Sequence, residues 1–162
     1  MKIPVKINNE EKTLDIHPSD SLLAVLRKQK IFSPKCGCLE GSCGSCTVLL
    51  DGKAVPSCIV PAALARDSEI ETLEHFAKSE LYADIVKGFS KAGITLCGYC
   101  NAGKFFLASQ ILSSSAKPSR KTIADLASTL APCCVNTNML ADGILYAFEF
   151  KLARIGEKKN AR

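Results

Sequence analysis

Hydrophobic periodicity predicts an α+β chain in two parts: a small sheet packed on one helix over residues 1–76, then a four-helix unit over residues 77–162. Three observations carry this expectation. Apolar residues alternate with polar ones through most of the first part, the period lengthens to between three and four from about residue 78, and turn residues punctuate both regimes. With 162 residues and 47% apolar composition, the chain is large enough to bury a real core in one domain or two small ones.

The elements follow in order. Ile3, Val5 and Ile7 alternate with polar neighbours, Asn8-Asn9 offers a turn, and Thr13 to Ile16 resumes the alternation, which predicts a hairpin. Pro4 lacks a backbone donor and is expected on an edge strand or near a strand end. Ser19 or Asp20 is placed to cap a helix whose inward face is Leu22, Leu23, Val25 and Leu26. Thr47 to Leu50 and Ala54-Val55 flank Asp51-Gly52, a hairpin signal, and Ile70 to Leu73 supplies a last strand. Beyond residue 78, Leu81, Ile85, Val86 and Phe89 mark a helix ended by Gly93, and Phe105, Phe106, Ser109 and Leu112 mark a second. After the linker SSSAKPSRK, Ile123, Leu126, Ala127 and Leu130 make a third, and the stripe from Met139 to Phe148 a fourth.

Composition narrows the function. No apolar run approaches the roughly 18 residues that cross a bilayer, and the N-terminus MKIPVKINNEEK has no apolar signal core, so a cytoplasmic location is expected. The formal net charge of +5 is scattered apart from a tail at Lys158, Lys159 and Arg162. It reads as a solvated surface, with neither a nucleic-acid partner nor a membrane partner.

Nine cysteines dominate the chemistry, five of them between Cys36 and Cys58. A disulfide framework, a zinc site and an iron–sulfur cluster compete. A reducing cytosol and an odd count argue against disulfides. Zinc favours paired C-x2-C knuckles, and only Cys43/Cys46 resembles one here. Cys38, Cys43, Cys46 and Cys58 are spaced C-x4-C-x2-C-x11-C, and the first three match plant-type [2Fe–2S] spacing. Gly37, Gly41 and Gly44 let the backbone curl and aim N–H groups at cluster sulfurs. Cys36 reads as a nearby non-ligand thiol.

The stretch also resembles a family, the small iron–sulfur subunits of the molybdenum hydroxylases, whose signature runs K-x-G-C-x-x-G-x-C-G-x-C-T-V-x-x-D-G-x-x-x-x-S-C. This chain supplies Lys35, Gly37-Cys38, Gly41, Cys43-Gly44, Cys46-Thr47-Val48, Asp51-Gly52 and Ser57-Cys58, and Glu71 to Glu74 resembles the family's segment at the domain join. The resemblance covers nearly the whole chain. It implies a β-grasp ferredoxin domain, then a four-helix domain with a second [2Fe–2S] cluster. It further implies a molybdopterin-binding large subunit and an FAD-binding medium subunit as partners.

The second motif of that family is Q-C-G-[FY]-C-[TS]-P-G with a later C-R-C. Here Leu96 replaces the glutamine, and Cys97-Gly98-Tyr99-Cys100-Asn101-Ala102-Gly103 keeps the cysteines. In the family the glutamine approaches the molybdopterin, a contact that the substitution by Leu96 calls into question. The later motif reads Ala131-Pro132-Cys133-Cys134, so that one register sets Ala131 and Cys133 at the ligand positions and the other Pro132 and Cys134. Four thiols remain: Cys97, Cys100, Cys133 and Cys134. A turn between helices can rotate adjacent cysteines to one side, which keeps a rearranged cluster open beside a decayed site whose thiols pack as small apolar residues. A C-x2-C thiol oxidoreductase lacks the preceding βαβ strand. His17 and His75 read as structural.

An all-cysteine cluster leaves no position for a substrate, so electron transfer is the expected function, with no catalytic residue in this chain. The alternatives are a one-cluster docking or scaffold subunit and a free-standing ferredoxin.

Overall fold

The computed structural model describes residues 1–114, 116–131 and 133–161. Ser115 of the linker, Pro132 with its proposed ligand register, and Arg162 of the basic tail lie outside the described residues.

Five strands form one mixed sheet: β1 (Lys2–Ile7), β2 (Glu10–Asp15), β3 (Thr47–Leu50), β4 (Lys53–Pro56) and β5 (Glu69–Glu71), in the order β2-β1-β5-β3-β4. Only β1 and β5 pair in parallel. Both hairpins turn where their sequences demand positive φ, at Asn8 (51°) and Asn9 (70°), and at Asp51 (49°) and Gly52 (77°). β1 is an interior strand, yet Pro4 is tolerated because the pairing with β5 begins only at Lys6. Before that point its carbonyl accepts from Asp67 N at 2.8 Å, so no ladder donor is missed.

Helix α1 (Leu22–Lys28) presses Leu22, Leu23, Val25 and Leu26 inward, and most of this face joins a core with Ile3, Val5, Ile7, Leu14, Val48 and Ile70. Its cap is Ser21, whose Oγ accepts from Ala24 N at 3.2 Å, and neither Ser19 nor Asp20 takes that place. Asp20 sits one residue too early and instead accepts from His17 N at 2.9 Å and pairs with Lys28. That backbone bond, then Lys28, holds the Asp20 carboxyl below its ordinary value.

The sheet stops at Glu71 and does not reach Leu73, because Thr72 is the extended cap of a one-turn helix α2 (Leu73–Phe76). Four helices follow: α3 (Glu80–Lys91), α4 (Asn101–Ser113), α5 (Arg120–Ala127) and α6 (Thr137–Asn160). Their core gathers Phe76, Ile85, Phe89, Phe105, Phe106, Leu112, Ile123, Ile144 and Phe148, with Tyr82 stacked on Phe105 at 4.5 Å between ring centroids. Val86 and Leu126, expected to face inward, are exposed, and Leu130 falls beyond the end of α5. Each lies at the margin of its apolar stripe, where a single residue step of 100° carries a side chain out of contact.

Helices α3 and α6 approach closely through Gly88. A Cβ there would stand 2.4 Å from Ala147 N and 2.5 Å from Gly143 O, so only glycine fits. At the far end of the pair, Asp84 is 1% exposed and receives both Arg154 Nε at 2.8 Å and Arg154 Nη2 at 2.7 Å. Asp84 first, helped by Glu80, pushes the Arg154 guanidinium pKa up further still. Among the described residues, no helix is long and apolar enough to cross a membrane.

Candidate metal centres

Residues 32–46, between α1 and β3, lie in a loop without regular structure that carries Cys38, Cys43 and Cys46, while Cys58 follows β4. The loop is bound at both ends. Glu74 accepts from Ser33 N at 2.8 Å and also from the Ser33 hydroxyl, and Lys35 N donates to Ser45 O at 2.9 Å. Burial opposes the Glu74 charge, but the hydroxyls of Ser33 and Thr72 outweigh it and hold the carboxyl below its ordinary value. On the other side, Ser57 Oγ donates to Cys46 O at 2.6 Å and Ser57 O accepts from Leu23 N, fixing the Cys58 segment to α1.

Within the loop the backbone already points at sulfur. Cys38 N donates to Cys43 Sγ at 3.5 Å, Cys43 N to Cys38 Sγ at 3.4 Å, and Ser45 N to Cys43 Sγ at 3.5 Å. Gly41 and Gly44 adopt φ of 83° and 75°, the left-handed region that glycine enters without strain, and Gly37 is closed to any side chain because a Cβ would meet Cys43 Sγ at 2.7 Å. The Ser42 hydroxyl, then backbone N–H groups of Glu40 and Cys43, pull the Cys38 thiol down to about 6. Burial, then the neighbouring Cys46 sulfur, pushes Cys58 up to about 11.

A [2Fe–2S] cluster fits this donor set. Cys38, Cys43 and Cys46 on the loop and Cys58 after β4 offer four thiols, and N–H groups face the Cys38 and Cys43 sulfurs as they would face thiolates. The Ser45 hydroxyl, one residue before Cys46, is wholly buried and has no hydrogen-bond partner among the described residues, an orphan donor that a bound cluster could satisfy.

The second group forms where α4 begins and where the α5–α6 connection passes it. Cys97, Cys133 and Cys134 bring their Sγ atoms within 4.8 Å of one another, and Cys100 Sγ donates to Cys133 Sγ at 3.0 Å. Adjacent Cys133 and Cys134 thus turn to one side, at a bend just before the Asn136 cap of α6. Cys100 is buried at the cap position of α4, and the other three are exposed. The Tyr99 backbone N–H, then Cys134, lowers the Cys97 thiol to about 7, while the Cys100 sulfur raises Cys133. Metal binding requires thiolates, and four cysteines match the number that a second [2Fe–2S] cluster would need.

The two centres adjoin. Lys35 Nζ donates to Gly98 O, Tyr99 Oη to Cys36 O at 3.4 Å, and Ala131 N to Ser42 O at 3.0 Å. Gly44 and Gly103 touch backbone to backbone, since a Cβ on Gly103 would lie 2.8 Å from Gly44 Cα. The Cys36 thiol itself is exposed, and its backbone serves the junction. The structure brings Cys97, Cys100, Cys133 and Cys134 together, and places Cys38, Cys43 and Cys46 on the loop of Gly37, Gly41 and Gly44, with Cys58 after β4. Ser45, at the first, and Lys104, buried against Cys100, escaped the sequence reading, because a lone serine or lysine carries no periodicity that signals burial. His17 bonds Ser19, and His75 bonds Glu71 at 2.6 Å, so both histidines are held in local polar networks.

Residues 5–75 match the 2Fe-2S iron-sulfur cluster binding domain. The xanthine dehydrogenase iron-sulfur-binding subunit of Escherichia coli O157:H7 is 36% identical over 148 residues, covering 88% of this chain and 91% of that protein. The nicotine 6-hydroxylase small subunit of Paenarthrobacter nicotinovorans is 29% identical over 91% of this chain and 89% of its own. Among solved structures, quinoline 2-oxidoreductase from Pseudomonas putida 86 superposes with a TM-score of 0.83 at 31% identity, over 97% of this chain and 98% of that chain. The aldehyde oxidoreductase from Desulfovibrio gigas gives 0.81 at 27% identity, over 95% of this chain but 17% of that longer one.

Proposed function

The chain belongs to the iron–sulfur subunits of the xanthine dehydrogenase-like molybdenum hydroxylases, and from that premise we propose how its residues serve the electron-transfer function it shares with them. Cys38, Cys43, Cys46 and Cys58 hold one [2Fe–2S] cluster, and Cys97, Cys100, Cys133 and Cys134 hold a second, in domains that divide at residues 76 and 77. When bound, each cluster takes up and releases one electron at a time. Electrons arrive from a molybdopterin-binding large subunit on the side of the helical domain and leave for FAD in a medium subunit, in a cytoplasmic complex. The substrate is hydroxylated in the large subunit.

The single observation that carries this reading is the contact between the two cysteine loops. Gly44 lies between two ligand positions of the first site, and Gly103 lies three residues past Cys100, so their backbone contact joins the centres directly. Lys35 and Tyr99 close the same gap from the other side. The chain's own work is to exclude water from Cys46 and Cys100, to aim N–H groups at sulfur, and to fix this separation. A permanent complex is favoured over a free carrier, because one relative carries the same fold as 17% of a single longer chain. The exposed thiols of Cys97, Cys133 and Cys134 also leave the second centre open on one side, as a surface covered by a partner would be.

The test is iron and acid-labile sulfide per chain on anaerobically isolated protein, with the low-temperature electron paramagnetic resonance spectrum after dithionite reduction. Four irons and two distinct signals are expected. Two irons with one signal would refute the second ligand set and leave a one-cluster docking subunit.

A further inference from the structure

Lys104 is 3% exposed, a burial that lysine rarely accepts without an anionic partner. Its Nζ lies 2.6 Å from Cys100 Sγ, its hydrogen-bond partner among the described residues. The geometry is local and firm: Cys100 caps α4 and Lys104 follows four residues later, on the same helix face. Beside it runs a cavity of about 350 Å³ whose lining includes Ser128, Ala131, Cys133 and Asn136 but no aspartate or glutamate. None of the ion pairs among the described residues involves Lys104.

The placement is doubly unfavourable for a cation. The N-terminus of α4 already concentrates partial positive charge, and a buried ammonium in the first turns adds to it. A buried ammonium in such a place is stabilised by negative charge beside it. The four thiols supply that charge once they hold a cluster, which becomes more negative still on reduction.

We propose that Lys104 is a resident counter-cation of the second cluster, donating a hydrogen bond to the Cys100 sulfur and raising the cluster's reduction potential relative to the first. The inference rests on the two-cluster reading above. A fixed cation favours the more negative, reduced state, and an N–H donor to a ligand sulfur acts in the same direction. Lys104 is thus a positioning and tuning residue, not a ligand. It gives the chain a means to order its two potentials from within its own fold.

The experiment is a redox titration of the intact complex, followed by electron paramagnetic resonance, for the parent chain, Lys104→Met and Lys104→Arg. In Lys104→Met the one-electron equilibrium of the second cluster shifts at least tenfold toward oxidation, which is 59 mV lower. Lys104→Arg restores most of that shift, and the first cluster's potential stays fixed in all three. A smaller displacement in Lys104→Met, with both clusters present, overturns the proposal. Should the methionine variant fail to assemble, parent protein carrying lysine labelled with ¹⁵N at Nζ decides the matter. A ¹⁵N hyperfine coupling at the reduced second cluster, retained in Lys35→Met, supports the role of Lys104, and its absence overturns it. Two irons per parent chain would instead sink the two-cluster reading itself, an outcome that iron counting separates from either result.

Discussion

Replacing Gly103 by alanine tests whether the two centres are held at one backbone contact. The added methyl would lie 2.8 Å from Gly44 Cα and 2.9 Å from Gly44 O, whereas ordinary contact begins near 3.4 Å, so α4 and the first loop must part by about half an ångström. Both obstacles are backbone, and neither can swing aside as a flexible side chain would. Alanine in a helix is worth up to about 1 kcal/mol over glycine, while overpacking costs about 1–3 kcal/mol. The net expectation is destabilisation of about 1–2 kcal/mol, or a fall of roughly 2–8 °C in Tm for a chain of this size. Gly156→Ala is the control, because nothing stands within 4 Å of a Cβ there, and it should gain up to about 1 kcal/mol from the same change in propensity. Thermal unfolding of the cluster-loaded chains by circular dichroism compares the two. The magnetic interaction between the reduced clusters should weaken in Gly103→Ala alone. If both variants gain stability equally and the interaction is unchanged, the contact does not fix the separation.

Three further outcomes follow from the packing. Arg154→Met strands the buried Asp84 carboxylate and should cost about 3 kcal/mol in denaturant unfolding, with Asp84→Asn recovering part of the loss when the two are combined. Gly88→Ala forces α3 from α6 against the backbone of Ala147 and Gly143, so a loss of roughly 3 kcal/mol is expected by the same measurement, and a neutral result would show that the helices slide freely. Ser45→Ala removes a buried hydroxyl with no partner among the described residues, so stability should hold while the first cluster's midpoint potential falls in a redox titration. An unchanged potential would mean that the hydroxyl does not donate to the cluster.

How far the sequence led depends on the range of the interactions involved. Asn8-Asn9 and Asp51-Gly52 announced both hairpins because a turn is decided by residues within it. The α1 cap moved from Ser19 or Asp20 to Ser21 because three polar residues in succession offer the same chemistry, and tertiary contacts choose among them. Val86 and Leu126 are exposed for a related reason: an apolar stripe in sequence defines a face only to within one residue at its margins. The Asp84–Arg154 pair spans seventy positions, and nothing local marks either side chain as buried. At the site, the cysteine spacing selected the metal chemistry, but only the folded chain shows that Cys133 and Cys134 turn the same way and that Lys104 lies beneath Cys100.

The departure from C-R-C acquires a physical meaning from that arrangement. In an extended segment, ligands two residues apart share a face, and adjacent ones do not. Here the chain bends at Cys134 and Val135, so adjacency no longer separates the sulfurs, and the Cys97, Cys133 and Cys134 thiols converge. The bend is anchored on the far side by Ala131 N, which donates to Ser42 O in the loop of the first centre. Ser42 in turn is the residue whose hydroxyl stabilises the Cys38 thiolate. The segment that replaces C-R-C is therefore fastened to the first centre as well as to the second. A displacement there moves the thiols of both groups, so the altered motif and the intact one are mechanically one structure.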